Sequence, residues 1–314
     1  MTRRVLVTGG AGFIGSHVVE AHLAAGDSVT VLDNLSTGSR GNVPAAATLV
    51  EADVRSPEAR QLIASGGFTV VNHHAAQIDV RRSVTDPVAD ADLNVLGLIN
   101  VLEGARAGGV GRMVFSSSGG TVYGEGAVTP TPETAPKLPA SPYGVAKLTS
   151  EFYLATFTQL YGLEAAVLRY SNVYGPRQDP HGEAGVVAIF CRRVLAGESL
   201  TIFGDGKQTR DMVFVRDVAQ ANVVASRQPL PPLSSIDARA FNVGTGVEST
   251  VNELAAQLGQ AAGREVKINH APARAGEILR SALDVRKAER ELGWRPATTL
   301  AAGLGHTLRW FMED

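Results

Sequence analysis

Cysteine is nearly absent from this chain of 314 residues, in which Cys191 is the only one. One thiol cannot form a disulfide within the chain, and a protein without disulfides suits a reducing compartment such as the cytoplasm. Cys191 lies in an apolar run with helical spacing, which predicts a place in the core rather than a role as nucleophile or ligand. The seven histidines also lack the spacing of a metal site. Because His73 and His74 would point to opposite faces of a predicted strand, the sequence predicts no metal.

A strong net charge is missing as well, since 29 Lys and Arg oppose 31 Asp and Glu. This balance offers no basic field for nucleic acid and no basic face for a membrane surface. No apolar run is long enough to cross a bilayer, and the first predicted strand follows Met1 so closely that we expect no signal peptide. With 44% hydrophobic and 19% charged residues, the chain has the composition of an ordinary globular protein of one large or two small domains.

The stretch Val5 to His17, VLVTGGAGFIGSH, predicts a strand, a glycine turn and a helix in succession. Gly9, Gly12 and Gly15 have the spacing of a dinucleotide-binding turn, in which backbone must turn tightly, approach a pyrophosphate and let helix pack on strand. The helix N-terminus then directs its N–H groups at the phosphate. Asp33 ends the next predicted strand, 18 positions after the last glycine, where a carboxylate that binds ribose is expected. Together these features favour a dinucleotide site over a plain structural turn.

Predicted strands and helices alternate through the first half of the chain, as a parallel sheet with crossover helices requires. Beyond the strand Leu163 to Arg169, a helix and a strand leave this pattern, and the run DMVFVRDVAQANVVAS returns to it. We therefore expect an α/β fold, a doubly wound parallel sheet of the Rossmann type with a smaller C-terminal α/β domain for substrate. Residues 1–173 and the returning segment 211–245 would form the first domain, and residues 174–210 and 246–314 the second.

Three local predictions bear on the site. Val88 to Ala107 predict one long helix, Arg112 to Phe115 a strand that ends before three serines, and Glu265 to Asn269 a short strand. Asn94 lies within the long helix, where it is either a surface amide or a bridge to buried backbone. The apolar residues around Asn94 favour the second interpretation.

A further group of polar residues follows the serine-tipped strand. Ser118 is the last of the three serines, and a later helix that opens with SPYGVAK carries Tyr143 and Lys147. Residues four apart share one face of a helix. A free tyrosine, with a pKa of about 10, is a poor base at neutral pH. The Lys147 ammonium and a positive nicotinamide would both stabilise the phenolate, so we expect them to lower the pKa of Tyr143.

The motifs TGGAGFIGSH, DNLSTG, FSSSGGTVYG, SPYGVAK and RYSNVYGPRQDP resemble those of the extended short-chain dehydrogenase/reductase superfamily. Within it, the chain is most similar to the UDP-glucose 4-epimerases and their nucleotide-sugar epimerase relatives, from Val5 to the tail motif LGWRP and Trp310. The resemblance implies NAD as cofactor, a UDP-sugar as substrate, and a Rossmann domain with a smaller substrate domain. It also implies Tyr143 as the catalytic tyrosine, Lys147 as its partner and Ser118 as a hydroxyl beside the sugar.

The motifs and the resemblance together assign two sets of binding residues. The expected NAD contacts are Gly9, Gly12, Phe13, Ile14, Gly15, Asp33, Asn34, Ser36, Thr37, Gly38, Asp53, Val54, His74, Ala75, Ala76, Gln77, Asn94, Tyr143, Lys147 and Tyr170. The expected substrate contacts are Ser118, Tyr143, Asn172, Val186, Val187, Thr201, Phe203, Arg210, Arg274, Glu277 and Ser281. The resemblance also implies a homodimer joined through the helices that begin near Val88 and Tyr143.

Within the substrate set, the resemblance implies that Arg210 and Arg274 bind the diphosphate and that Glu277 contacts the uridine ribose. Guanidinium forks suit phosphate oxygens, although arginines in such loops also form ordinary surface salt bridges. Thr201 and Phe203 match positions around uracil, where an aromatic face can pack on the base.

The leading hypothesis is an epimerase that retains NAD and acts at carbon 4 of a UDP-hexose. A dehydratase or decarboxylase of the same superfamily is the first alternative. Sugar-nucleotide dehydratases follow their hydroxyl residue with an Asp-Glu pair, whereas this chain has Gly119 and Gly120. The second alternative, a non-catalytic NAD-binding regulatory protein, is disfavoured by the intact Ser118, Tyr143 and Lys147.

Two finer preferences follow from single side chains. Asp33 can accept from a ribose 2′-hydroxyl but would repel a 2′-phosphate, which favours NAD over NADP, although Arg40 lies close in sequence. Ser281 falls where hexose-only epimerases carry a bulky tyrosine and relatives that accept N-acetylhexosamines carry a small residue. Serine would open the pocket to a 2-acetamido group, unless Ser281 is an exposed loop residue and Arg280 or nearby backbone closes the pocket.

Overall fold

The computed structural model describes residues 2–180, 185–273 and 278–313. In chain order the strands are β1 (Arg4–Thr8), β2 (Ser28–Asp33), β3 (Thr48–Glu51), β4 (Val70–His73), β5 (Arg112–Ser118), β6 (Glu164–Tyr170), β7 (Asn172–Tyr174), β8 (Leu200–Phe203), β9 (Thr209–Arg210), β10 (Met212–Phe214), β11 (Ala240–Val243), β12 (Ser249–Thr250) and β13 (Ile268–Ala271). The helices are α1 (Phe13–Ala24), α2 (Pro57–Ser65), α3 (Val80–Thr85), α4 (Pro87–Ala91), α5 (Gly97–Ala107), α6 (Gly119–Val122), α7 (Pro142–Tyr161), α8 (Val186–Leu195), α9 (Val215–Ala225), α10 (Val251–Ala262), α11 (Arg286–Leu292) and α12 (Leu300–Glu313). A 3₁₀ turn (Arg40–Asn42) and a π-helical turn (Asp92–Leu96) lie between them.

Seven strands form one sheet in the order β11-β6-β5-β4-β1-β2-β3, and every neighbouring pair is parallel. The chain winds outward from β1 in one direction through β2 and β3, and in the other through β4, β5, β6 and β11. This reversal puts a crevice at the carboxyl ends of β1 and β4, where doubly wound sheets bind their ligands. The predicted Rossmann-type fold is confirmed.

Both faces of this sheet are covered, as its apolar strands require. Alternate residues of β1 serve the two sides: Leu6 packs with residues of α2, α5 and α7, whereas Val5 and Val7 pack with residues of α1 and α9. All three side chains are completely buried. Because side chains alternate between the two faces, β1 is buried on both sides in the middle of the sheet. Its last residue, Thr8, lies at the crevice.

Among the described residues, three two-stranded sheets lie beyond the main one: β7 pairs with β10 and β8 with β13 in parallel, and β9 pairs with β12 in antiparallel. Residues of α8, α10 and α12 form a separate apolar core with β7, β8 and β10. The returning segment contributes to both parts, because β10 packs in this second core while α9 packs against α1.

Three local predictions were inaccurate. The serines belong to β5, which continues to Ser118 because Ser116, Ser117 and Ser118 pair with β6. The predicted long helix is α4, a π-helical turn and α5. The last short strand is shifted to β13, where pairing with β8 sets the register although Ile268, Asn269 and His270 are exposed.

Within the described ranges, no helix has the combination of length and apolar character needed to span a membrane. In the same ranges, no group of three or more His, Cys, Asp or Glu side chains is arranged to hold a metal ion. Cys191 is fully buried in the second core.

Candidate active site

The predicted cofactor residues gather at the carboxyl ends of the sheet strands. Gly9, Gly12, Phe13, Ile14 and Gly15 form the turn after β1 and the start of α1; Asp33, Asn34, Ser36, Thr37 and Gly38 end β2 and form the next loop; Asp53 and Val54 follow β3; His74, Ala75, Ala76 and Gln77 follow β4; Asn94 lies in the π-helical turn; Tyr143 and Lys147 lie on α7; and Tyr170 ends β6.

The turn after β1 has no room for side chains at two glycines. Gly9 adopts φ +68°, and a Cβ there would lie 2.6 Å from the backbone nitrogen of Ala75. A Cβ on Gly15 would lie 2.1 Å from the carbonyl oxygen of Gly9. The turn therefore presses α1 against β1 and points the N-terminus of α1 into the crevice. This bare backbone cradle fits a pyrophosphate.

Asp33 is held rigidly at the end of β2. The backbone N–H of Ala11 donates to its Oδ2 at 2.9 Å, and the N–H of Leu35 donates to its Oδ1 at 2.8 Å. Each oxygen keeps a further lone pair with which to accept from a ribose hydroxyl. Arg40, the nearby cation, pairs instead with Glu51 at 2.5 Å on the surface. The arrangement fits a dinucleotide that lacks a 2′-phosphate.

Asp53 and Asn34 meet at the neighbouring strand ends, where Asn34 Nδ2 donates to Asp53 Oδ2 at 3.0 Å. Arg55 also binds Asp53, with its Nη2 donating to Oδ2 at 2.7 Å, and pairs with Asp92. The hydrogen bonds from Arg55 hold the pKa of the Asp53 carboxyl well below its usual range. Asp53 is therefore charged and already engaged by protein groups.

Asn94 bridges buried backbone, as its sequence context suggested. Its Nδ2 donates to the carbonyl oxygen of Gln77 at 3.0 Å and to Asp90 Oδ1 at 2.9 Å, and its Oδ1 accepts from the N–H of Gln77 at 3.0 Å. These bonds fix the strand-end segment that follows β4 and lines the crevice. The amide reaches the segment from a π-helical turn, a feature often found at functional sites.

The imidazole of His74 is turned into the protein. Its Nε2 bonds to Asn72 Oδ1 at 2.9 Å, and its ring stacks on that of Tyr170 with centroids 6.3 Å apart. Burial and the charge of Lys147 lower the pKa of His74 to about 3, so the ring is neutral. The Tyr170 hydroxyl in turn accepts from Asn222 Nδ2 at 2.7 Å.

Ser118, Tyr143 and Lys147 come together at the end of β5. Helix α7 begins at Pro142, capped by the Ser141 side chain, which accepts from the N–H of Gly144. The Ser118 hydroxyl lies close enough to that of Tyr143 to lower the pKa of the tyrosine, against the larger effect of burial. Lys147 donates to the carbonyl oxygen of Ser116 at 2.8 Å, and its Nζ lies 5.7 Å from the centroid of the Tyr143 ring.

The predicted fall in the pKa of Tyr143 is wrong for the protein's own groups. Burial and the negative charge of Asp90 raise the pKa of Tyr143, against a lowering by the hydrogen bond from Ser118. Burial also lowers the pKa of Lys147 to about 8, so its side chain loses its positive charge more readily than an exposed lysine does. The sequence could not reveal how completely this pair is removed from water.

A buried ion pair that the sequence analysis missed anchors α7. Glu151, one turn beyond Lys147, accepts from Ser117 Oγ at 2.6 Å and pairs with Arg169 at 2.6 Å. Both charged side chains are completely buried, and Arg169 also pairs with Asp237 at 2.9 Å. The only signal in the sequence was a carboxylate one turn beyond Lys147, on the same face of the predicted helix. These bonds join the helix that carries Tyr143 to β5 and β6.

The other predicted substrate residues lie on elements of the second core and on the strands and loops beside it. Asn172 begins β7, Val186 and Val187 begin α8, Thr201 and Phe203 lie on β8, Arg210 ends β9, and Ser281 lies between β13 and α11. Arg210 Nη1 donates to the carbonyl oxygen of Ile278 at 2.7 Å, and Thr201 Oγ1 accepts from Arg193 at 2.8 Å. Val187 is buried in the second core.

Arg274 and Glu277 lie outside the described residues. Ser281 is partly buried in the loop before α11. Arg280 is turned to the surface, where it pairs with Glu248 at 2.6 Å.

Known proteins resemble this chain over nearly its whole length. Residues 5–244 match the NAD dependent epimerase/dehydratase family. The UDP-glucose 4-epimerase of Mycolicibacterium smegmatis is 45% identical over 313 residues, which cover 98% of each chain. The crystal structure of the Thermotoga maritima UDP-glucose 4-epimerase with UDP-glucose is similar with a TM-score of 0.93 and 46% identity over 99% of both chains. That of the Thermus thermophilus UDP-glucose 4-epimerase with NAD has a TM-score of 0.89 and 45% identity, covering 98% of this chain and 99% of the other.

Proposed function

The chain belongs to the NAD dependent epimerase/dehydratase family, and from this premise we propose that it acts as a UDP-glucose 4-epimerase. It is an isomerase that inverts carbon 4 of a UDP-hexose through a transient 4-keto sugar, and its cofactor is NAD. The observation that carries the proposal is the meeting of Ser118, Tyr143 and Lys147 beside the glycine cradle and Asp33.

These side chains can move the proton that the reaction requires. The Tyr143 oxygen would accept the proton of the sugar 4-hydroxyl and later return it, while Ser118 donates a hydrogen bond to the oxygen of the 4-keto sugar. Lys147, fixed by the Ser116 carbonyl, would stabilise the phenolate of Tyr143. NAD, when bound, supplies the hydride chemistry at carbon 4. Between the two hydride steps the sugar must turn over within the pocket.

The segment after Ser118 disfavours a dehydratase. Gly119 opens α6, and a Cβ on it would lie 2.6 Å from the side chain of the buried Leu283. A carboxylate at this position would have to displace Leu283. The chain thus lacks the acidic pair, and Gly119 has no free space for its first member.

The proposal is tested by incubating the purified protein with UDP-glucose, UDP-galactose and their N-acetyl counterparts. Interconversion at carbon 4, followed by NMR, is the expected result. Loss of water from the sugar would instead support the dehydratase alternative. Release of NADH into solution during turnover, from which dialysis can remove it, would instead indicate a simple dehydrogenase.

We propose NAD rather than NADP as the cofactor form, and a pocket at Ser281 that admits an N-acetylhexosamine. The buried Asp33 carboxylate and the surface pairing of Arg40 support the first statement. The small side chain of Ser281, with Arg280 directed away to Glu248, supports the second. We also propose the division of the chain at residues 173, 210 and 245, which the separate apolar core of α8, α10 and α12 supports. The single, buried cysteine fits a cytoplasmic location.

A homodimer is the final element of the proposal. Helices α3, α4 and α7 pack on one another and leave large apolar side chains exposed, including Val84, Val88, Phe152 and Leu160 at 62%, 77%, 53% and 66%. A second copy of the same surface would bury them in a symmetric interface. Light scattering should give twice the mass of the chain, and Phe152→Glu should yield the monomer.

A further inference from the structure

Asp211 lies at the junction of β9 and β10 and is completely buried. Its Oδ1 accepts from the N–H and the hydroxyl of Thr245 at 2.7 and 2.6 Å. Its Oδ2 accepts from the N–H of Gly246 at 3.1 Å and from that of Leu283 at 3.2 Å. One side chain therefore joins three distant parts of the chain.

The residues beside Asp211 bind the same segments. The N–H of Thr209 donates to the carbonyl oxygen of Leu279 at 2.9 Å, and Arg210 Nη1 donates to that of Ile278 at 2.7 Å. With the Leu283 bond, segment 278–283, which contains Ser281, is attached to residues 209–211 near both of its ends. In addition, the carbonyl oxygen of Asp211 accepts from the N–H of Asn172 at 3.0 Å.

We propose that Asp211 is a positioning residue that sets the substrate-side wall of the pocket. By holding segment 278–283 against β9, it fixes the places of Arg210 and Ser281 relative to each other and to Asn172. The inference rests on the proposed function, in which these three residues contact the UDP-sugar. Asp211 itself is buried away from any ligand and acts only through them.

A carboxylate is the side chain that this position requires. Four donors point at its two oxygens, so an amide at the same place would set its own N–H groups against donors. The neighbouring backbone is equally constrained, because a Cβ on Gly244 would lie 2.4 Å from Asp211 Oδ2 and so position 244 requires glycine beside this carboxylate. Burial raises the pKa of the Asp211 carboxyl above its ordinary value, and the hydrogen bonds from Thr245, Gly246 and Leu283 offset this only in part.

The inference predicts a separation between binding and chemistry. In Asp211→Asn, the KM for UDP-glucose should rise about tenfold, the effect of losing one hydrogen bond to a charged group. The kcat should stay within about twofold, because Tyr143 is held by the separate bonds of α7 to β5 and β6. Affinity for NAD should not change.

Asp217→Asn is the matched control. Asp217 is also a buried acid, and its Oδ2 accepts from the backbone N–H of Thr298 at 3.0 Å. It fastens a segment that contains none of the predicted substrate residues. We expect Asp217→Asn to lower the melting temperature about as much as Asp211→Asn does, and to leave the KM for UDP-glucose unchanged. If both variants raise KM equally, or neither does, Asp211 has no positioning role.

Hydrogen exchange provides a readout that does not depend on turnover. The amide of Leu283 should exchange at least tenfold faster in Asp211→Asn than in the wild type and in Asp217→Asn, because its acceptor is Asp211. Unchanged exchange would overturn the inference even if epimerase activity is present. Conversely, a wild type that epimerises no UDP-hexose refutes the proposed function, and calorimetry with UDP then decides the inference. A weaker affinity for UDP in Asp211→Asn alone would support it, and equal affinities in all three proteins would overturn it.

Discussion

The cofactor side and the substrate side of the site are built in different ways. On the cofactor side, the turn after β1 and Asp33 at the end of β2 lie within one short stretch of chain and are shaped by backbone packing. On the substrate side, β7, β9, the loop after β11 and segment 278–283 come from distant parts of the chain and are joined by side chains such as Asp211. Local geometry therefore defines the first half, and long-range hydrogen bonds define the second.

Tyr143→Phe should have the largest effect, because the tyrosine lies where the two sides meet. We expect kcat to fall by a factor of about 10² to 10⁴, the usual contribution of a positioned acid–base group. Affinity for NAD and for UDP should persist, as measured by calorimetry. Tyr174→Phe, which removes another largely buried hydroxyl, is the control and should keep its activity. Near-normal turnover by the Tyr143 variant would remove this residue from the mechanism.

Ser281→Tyr addresses the substrate side alone. The tyrosine ring should fill the space of a 2-acetamido group and lower kcat/KM for UDP-GlcNAc by about 10² or more, while UDP-glucose is largely spared. Ser235→Tyr, at an exposed position outside the predicted substrate residues, controls for a new surface aromatic. A wild-type protein that converts UDP-glucose and leaves UDP-GlcNAc untouched would show that another group closes the pocket.

Gly15→Ala addresses the cofactor side. The new methyl group would meet the Gly9 carbonyl at 2.1 Å, so α1 must move away from β1. Such overpacking costs about 1–3 kcal/mol of the free energy of unfolding and should widen the pyrophosphate cradle. Thermal unfolding and NAD titration measure the two effects. Gly41→Ala is the control, since the nearest atom to its Cβ would be Ser39 Oγ at 3.5 Å. Equal stability of the two variants would contradict the packing argument.

Asp33→Asn tests the other anchor of the cofactor side. The variant should bind NAD about tenfold more weakly, because a hydrogen bond to a charged acceptor becomes a neutral one. The preference over NADP should shrink because the repulsion of a 2′-phosphate is lost. Asp205→Asn, at an exposed turn, serves as control. Equal affinity of the wild type for both cofactors, in a fluorescence titration, would refute the assignment.

Lys147→Met should have the smallest effect, a shift in the pH profile of kcat. Loss of the nearby positive charge raises the pKa of Tyr143, so the acidic limb should move to higher pH by about one unit. Since burial lowers the pKa of Lys147 itself to about 8, the two profiles should converge above that pH, where the wild-type lysine is also neutral. An acidic limb that stays in place would separate Lys147 from the titration of Tyr143.

The contrast between the two sides also explains what could be predicted from the sequence. The strand, turn and helix around Gly12, and the cap and start of α7, follow from local patterns of glycine, serine, proline and apolar spacing. The partners of Asp211 and of Glu151 are separated from them by tens of residues and only meet in the fold. Likewise, burial controls the pKa of Tyr143, and the elements that bury it cannot be identified from the sequence around this residue.

The π-helical turn at Asp92–Leu96 has a consequence for the rest of its helix. An α-helix rotates about 100° with each residue, so one additional residue in the turn changes the rotational phase of everything that follows. Within the turn, Asn94 faces Gln77. After the turn, Leu98, Val101 and Leu102 of α5 face the core. A deletion of one residue within the turn would restore a regular helix that satisfies either Asn94 or the core, but not both. The number of residues in this turn is therefore set by the need to satisfy Asn94 and the core together.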